Sequence, residues 1–166
     1  MENDILQSKL SIWIDADSCP ALVRNHVVKM GNRLSLQVFF VANKNIPCSE
    51  KPFEMIICPS GKDEADNYIY DNVKENDLVI TRDIVFADRL VSKNICTIND
   101  RGTEFTKEFI KERLSTRDFD LQLAQCGLVK HFHEGYDKKK FAQFANCFDK
   151  TIHKLLKNNF LIKKGL

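Results

Sequence analysis

Leu10-Ser11-Ile12-Trp13-Ile14-Asp15-Ala16-Asp17-Ser18-Cys19-Pro20 is the stretch on which the reading of the fold turns. Its first five residues are mostly apolar, β-branched or aromatic, the pattern of a strand covered on both faces rather than one. Asp15-Ala16-Asp17 stops the run. Pro20 fits the first turn of a helix, where its missing N–H costs nothing, with Ser18 as the predicted N-cap. Leu22, Val23, His26, Val27 and Met30 then recur at helical spacing, and Gly31 reads as the C-terminal stop.

The alternation of strand and helix continues outward. Residues 36–42 (LQVFFVA), 53–58 (FEMIIC), 78–81 (LVIT) and 95–98 (ICTI) are further short apolar runs. Helical spacing is predicted over 62–74 and over 84–93, the latter with Phe86, Ala87, Leu90 and Val91 inward. Residues 43–52 read as a loop. After a turn at Asn99-Asp100-Arg101-Gly102, two short helices are predicted, over 106–114 and 119–126, and an amphipathic one from Asp137 onward. That last helix carries Phe141, Phe144, Phe148, Ile152 and Leu155 on one stripe. The predicted fold is α/β: a three-layer sandwich around a mostly parallel five-stranded sheet, with added C-terminal helices, and the order 3-2-1-4-5 is supposed for that sheet. No repeat or low-complexity linker interrupts it. One domain is expected over residues 1–166, with 128–166 as a helical extension packed on it.

With 166 residues, 43% apolar and 29% charged, the chain is neither disordered nor fibrous. A chain of this length removes about 70% of its extended surface from water, enough for a core without staples. The net charge of +2 hides an asymmetry: residues 128–166 hold nine Lys against three acids, a local +6, and the first 127 residues carry −4. An acidic body with a basic tail suits a carboxylate site beside a polyanion-binding surface. The six cysteines are far apart, with no Cys-x-x-Cys pair, as in a reducing compartment. Residues 1–9 contain acids and no apolar segment, so no signal peptide is expected, and no 18-residue apolar run exists to span a membrane. A cytoplasmic protein is the expectation.

In an open parallel sheet the ligand crevice lies beyond the carboxyl ends of the strands, where strand order reverses. With order 3-2-1-4-5 that point falls between strands one and four. Asp15 and Asp17 follow the first strand, and Asp83 follows the fourth by two residues. Asp63 and Asp66 open the helix after strand three, spaced i,i+3 and therefore on one face. Carboxylates this crowded raise one another's pKa unless a cation compensates. Oxygen donors without His or Cys favour Mg²⁺ or Mn²⁺, which serve phosphoryl chemistry by neutralising phosphate and activating water. An Asp at a helix start can equally be only a cap. Ser18 and Thr81 are candidate phosphate or water contacts, Asn99 completes the site or forms an Asx turn, and Arg101 and Arg117 either contact a phosphodiester or pair with nearby acids. Cys19 is read as structural, and His26, His131, His133 and His153 lack ligand-like company.

The set Ile14-Asp15-Ala16-Asp17-Ser18-Cys19-Pro20, Gly61-x-Asp63-x-Ala65-Asp66-x-x-Ile69, Thr81-Arg82-Asp83-Ile84, Asn99-x-Arg101-Gly102 and Thr116-Arg117-Asp118 resembles the YaiI/YqxD family, a bacterial group with a PIN-like domain, over about residues 10–150. The PIN resemblance implies the sheet order 3-2-1-4-5 supposed above and a nuclease, usually acting on RNA, whose acids hold one or two Mg²⁺ or Mn²⁺. It implies Asp15 as the first acid, and Asp66 and Asp83 as later ones. The second acid of that fold, a Glu on a helix between strands, has no counterpart: Glu50 and Glu54 fall in loop or strand context, leaving Asp17 or Asp63 as substitute. The expected function is metal-dependent phosphodiester hydrolysis on RNA or single-stranded nucleic acid. Asp15, Asp66 and Asp83 serve as ligands, Asp17 and Asp63 as ligand or base, and the basic tail makes phosphate contacts. Two other readings stand beside it. One is a haloacid-dehalogenase-like phosphatase using Asp15-x-Asp17 and an aspartyl-phosphate. The other is a PIN-like module that binds nucleic acid or protein without catalysis.

Overall fold

The computed structural model describes residues 10–127 and 135–165. The expectations placed on residues 1–9, on His131 and His133, and on the start of the basic extension lie outside them. Five parallel strands form the sheet: β1 (Ser11–Asp15), β2 (Gln37–Ala42), β3 (Glu54–Ile57), β4 (Leu78–Ile80) and β5 (Cys96–Ile98), in the order β3-β2-β1-β4-β5. The helices among the described residues are α1 (Ala21–Arg33), α2 (Glu64–Asn72), α3 (Ile84–Ser92), α4 (Lys107–Gln125) and α5 (Lys138–Lys163). This is the predicted α/β fold with the predicted strand order.

Burial on both faces explains the apolar runs. Ile12, Ile14, Phe40 and Ile80 face one core, which α1 closes with Val23 and Val27 and α5 with Phe144, Phe148 and Ile152. Trp13, Val41 and Val79 face the other, closed by Ile69 of α2 and by Phe86 and Leu90 of α3. α4 packs outside α3 through Ile110, with Phe105 just before the helix, against Ala87. The Phe stripe of α5 is therefore core, each fully buried ring or branched side chain contributing about 1.5–3 kcal/mol. His26 lies edge-on to Phe141, Phe144 and Phe148, with centroids 5.4–6.3 Å away, and its burial lowers its pKa.

Four local expectations are corrected. Gly31 does not end α1: it is a buried position inside the helix, where an added Cβ would sit 2.6 Å from Val38 Cγ2. The helix instead runs to Arg33, and Ser35 takes the left-handed conformation after it (φ 56°). Leu22 is exposed, because the inward face of α1 is Val23, Val27, Val28 and Gly31. Ser18 is not the N-cap; it lies in a 3₁₀ turn (Ala16–Ser18), and Pro20 holds the cap position. The two helices expected over 106–114 and 119–126 are one, since Thr116 donates its hydroxyl to the Glu112 carbonyl (3.0 Å) and so sits inside a helix without breaking it.

At the amino end of the sheet, buried Asp77 fastens β1 to β4. Its Oδ1 accepts from the Ser11 N–H (2.8 Å), and its Oδ2 from Trp13 Nε1 (3.0 Å) and the Lys74 N–H (2.9 Å). Asp77→Ala strands three donors around a cavity and is expected to cost about 3–5 kcal/mol in urea denaturation. A loss below 1 kcal/mol would contradict this role.

Candidate active site

Because the strands are parallel, their carboxyl ends share one edge, and the order reverses there between β1 and β4. Asp15 ends β1, and the register Ile14↔Ile80 sets Thr81 beside it. The Thr81 hydroxyl donates to Asp15 Oδ2 (3.0 Å), and the Asp83 N–H donates to Thr81 Oγ1 (3.1 Å). From the other side, the Asn43 N–H beyond β2 donates to Asp17 Oδ2 (3.1 Å). Asp15, Asp17, Asp63 and Asp66 line one crevice of about 110 Å³ together with Asn43 and Glu64. That volume holds three or four waters at about 30 Å³ each, room for a hydrated ion and too little for a base.

The cap alternative applies differently to each acid. Asp83 caps α3, its Oδ1 accepting from the Val85 and Phe86 N–H groups (2.9 and 3.1 Å). Asp63 occupies the cap position of α2 with a left-handed backbone (φ 63°), yet its side chain makes no cap bond. Sequence reasoning missed two crevice residues: Glu64, concealed as one more first-turn acid, and Asn43, in the loop after β2. Glu54, by contrast, begins β3 at the far edge of the sheet from the crevice.

Electrostatics mark the same two side chains. Burial pushes Asp15 up to about 6, against the pull of the Thr81 hydroxyl, with Asp17 and Asp83 adding repulsion. Asp66 rises to about 7, first through burial, then through Asp15, Asp83 and Asp63, with Arg89 opposing. Asp83 lies outside the crevice that Asp15 and Asp66 line, yet its charge raises both, as that of Asp15 raises Asp66. Among the described residues no three His, Cys, Asp or Glu side chains form a group that could by itself hold a metal ion. The all-oxygen donor set fits Mg²⁺ or Mn²⁺, which keep several waters and take one or two carboxylates rather than a closed protein cage.

The remaining candidates divide. Ser18 and Arg117 line an adjacent crevice of about 470 Å³ with Arg82, Asp83 and Ile84. Asn99 forms the Asx turn, accepting from the Arg101 and Thr103 N–H groups (3.0 and 2.9 Å). Arg101 faces a separate cavity of about 580 Å³, lined also by Thr103, Gln143 and Lys150. The pairing of Arg101 or Arg117 with an acid is not seen among the described residues. Cys19 is buried, which pushes its thiol up, as befits a structural cysteine.

A sequence profile described as "Uncharacterized BCR, YaiI/YqxD family" matches residues 13–154. The chain belongs to the YaiI/YqxD family. Named relatives include a UPF0178 protein of Treponema denticola, 42% identical over 92% of this chain and 97% of the relative, and one of Treponema pallidum, 40% identical over 89% and 84%. A third, from Vibrio vulnificus, is 36% identical over 89% of this chain and 100% of the relative. No solved structure matches. The matched span in this YaiI/YqxD chain contains all five candidate aspartates.

The raised values have a sign that can be measured. An unfolded Asp titrates near 3.8, while folded Asp15 and Asp66 titrate near 6 and 7, so between these limits the folded state binds more protons. In divalent-free buffer, stability should therefore rise as pH falls from about 8 toward 5. Asp66→Asn is expected to flatten that dependence and to raise the thermal midpoint at pH 8 by about 2–4 °C. A lowered midpoint in differential scanning calorimetry would contradict the repulsion.

Proposed function

We propose that this protein is a divalent-metal-dependent nuclease hydrolysing phosphodiester bonds in RNA or another single-stranded nucleic acid. The observation that carries the reading is the gathering of Asp15 and Asp66 with Asp17 and Asp63 in one crevice at the switch point of the sheet, where burial and then neighbouring carboxylates push Asp15 up to about 6 and Asp66 to about 7, a cost that a bound cation would lower. Asp15 and Asp66 would hold Mg²⁺ or Mn²⁺, with Asp83 as the third acid through the oxygen left free by its cap. A divalent ion there supplies charge neutralisation at the phosphate and a more acidic water. The chain's own residues do the rest. Thr81 orients Asp15, the Asn43 N–H orients Asp17, and Asp63 has a carboxylate uncommitted to its helix. Asp17 or Asp63 can take the proton of the attacking water. Ser18 and Arg117 line the neighbouring crevice for the rest of the strand. Exposed Lys138, Lys139, Lys150 and Lys157 on α5 would add salt-dependent phosphate contacts. The described helices include none long and apolar enough to cross a membrane, and all six cysteines are free, which supports a reducing, cytoplasmic setting.

Asp15→Asn and Asp83→Asn test the assignment, because Asn keeps the shape of Asp15 and caps a helix about as well as Asp. Each should lower Mn²⁺-dependent cleavage of a labelled single-stranded oligoribonucleotide about a hundredfold or more, with the circular dichroism unchanged. Undiminished cleavage would discard the site. The lack of a self-sufficient metal-holding group favours one other reading, a non-catalytic binding module. Tight oligonucleotide binding with no cleavage under any divalent ion would establish it.

A further inference from the structure

Arg82 stands between two residues of the proposed site, Thr81 and Asp83, yet its side chain turns to a partner outside it. The register Ile80↔Ile98 carries the parallel pair β4–β5 to its end, and two residues further along each strand stand Arg82 and Asp100. Arg82 donates from Nε to Asp100 Oδ2 (3.0 Å) and from Nη2 to the same oxygen. The Asp100 side chain is 4% exposed and that of Arg82 46%. Asp100 Oδ1 is buried and has no hydrogen-bond partner among the described residues. Asp100 is also braced from the segment just before α5: the Tyr136 hydroxyl donates to its carbonyl (2.7 Å). Two residues on, Gly102 (φ 85°) presses so close to α5 that a Cβ would lie 2.4 Å from the Gln143 carbonyl oxygen.

A buried carboxylate normally satisfies both oxygens. Here one is used twice and the other is idle, an arrangement poor for stability but rigid for the arginine. A guanidinium has five N–H donors, so two are fixed by Asp100 and three remain. They belong to a side chain that lines the crevice of about 470 Å³ with Ser18, Asp83, Ile84 and Arg117. An arginine fork held on one edge and open on the other suits a tetrahedral oxyanion.

We propose that this crevice is a phosphate subsite in which Arg82 grips a phosphate of the substrate and buried Asp100 is its positioning residue. The inference rests on the nuclease reading only for the identity of the substrate; the phosphate contact itself can be tested without turnover. It also moves the phosphate-binding role from Arg101, which faces a different cavity, to Arg82.

The test is a titration of metal-free protein with inorganic pyrophosphate, followed by ¹H–¹⁵N spectra of the arginine Nε–H groups, with the Arg82 signal assigned by its loss in Arg82→Lys. The Arg82 signal should be slow to exchange with water and should move on binding. Arg82→Lys and Asp100→Asn should each weaken pyrophosphate about tenfold while leaving the Mn²⁺ response of the aspartates unchanged. Lysine keeps the charge that partners Asp100, so Arg82→Lys decides the matter even if Asp100→Asn does not fold. Equal pyrophosphate affinity in wild type and Arg82→Lys, or a stationary Arg82 signal, overturns the subsite. Pyrophosphate binding that depends on Arg82, in a protein that cleaves no nucleic acid, keeps the subsite and discards the nuclease.

Discussion

The Thr81 hydroxyl holds together the open end of the sheet. It receives the Asp83 N–H and donates to Asp15, so the ends of β4 and β1 and the start of α3 are set by one side chain. Thr81 is itself buried, and its backbone N–H continues the ladder to the Ile98 carbonyl (3.1 Å). The position of Asp15 is therefore a consequence of strand pairing rather than of a flexible loop. Everything proposed for the site depends on this: Asp15 is held by the parallel sheet, and the carboxylates around it come from helix starts and turns packed at the same end.

Three aspartates show how differently one residue type is used along the sheet. Asp77, at the amino end, is buried with three donors and works as a fastener. Asp15, at the carboxyl end, is raised first by burial and then by Asp17 and Asp83, with the Thr81 hydroxyl only partly opposing them. Asp100 is as buried as Asp77 but leaves an oxygen idle. Local arrangements that lower stability tend to coincide with functional sites, and both of the poorly satisfied aspartates lie at the edge where strand order reverses. The two ends of the sheet thus divide stability from chemistry.

The strands were legible because two-sided burial writes itself as unbroken apolar runs, whereas their order, which no run encodes, was supposed from the PIN-like resemblance. The convergence of Asp15, Asp17, Asp63 and Asp66 followed from strand order alone. Misreadings came where a residue's usual role was overridden by a neighbour distant in sequence. Gly31 looked like a helix stop, but Val38 from β2 requires its missing side chain. Residues 115–118 fell between two expected helices, but the Thr116 hydroxyl bonds back into a single one. Arg82 and Asp100 carry no local pattern, since they meet only once β4 and β5 are paired. Asp83 caps α3, and that role does not exclude the one proposed for it at the site.

The central claim is that Asp15 and Asp66, which burial and neighbouring carboxylates push up to about 6 and 7, form a site for a divalent cation. Calorimetric titration of Mn²⁺ into the protein at pH 6, repeated in buffers of different ionisation enthalpy, measures this directly. The account predicts tight uptake, with about one proton released per ion at pH 6 and fewer at pH 8. Uptake without proton release, or no uptake at either pH, would contradict it.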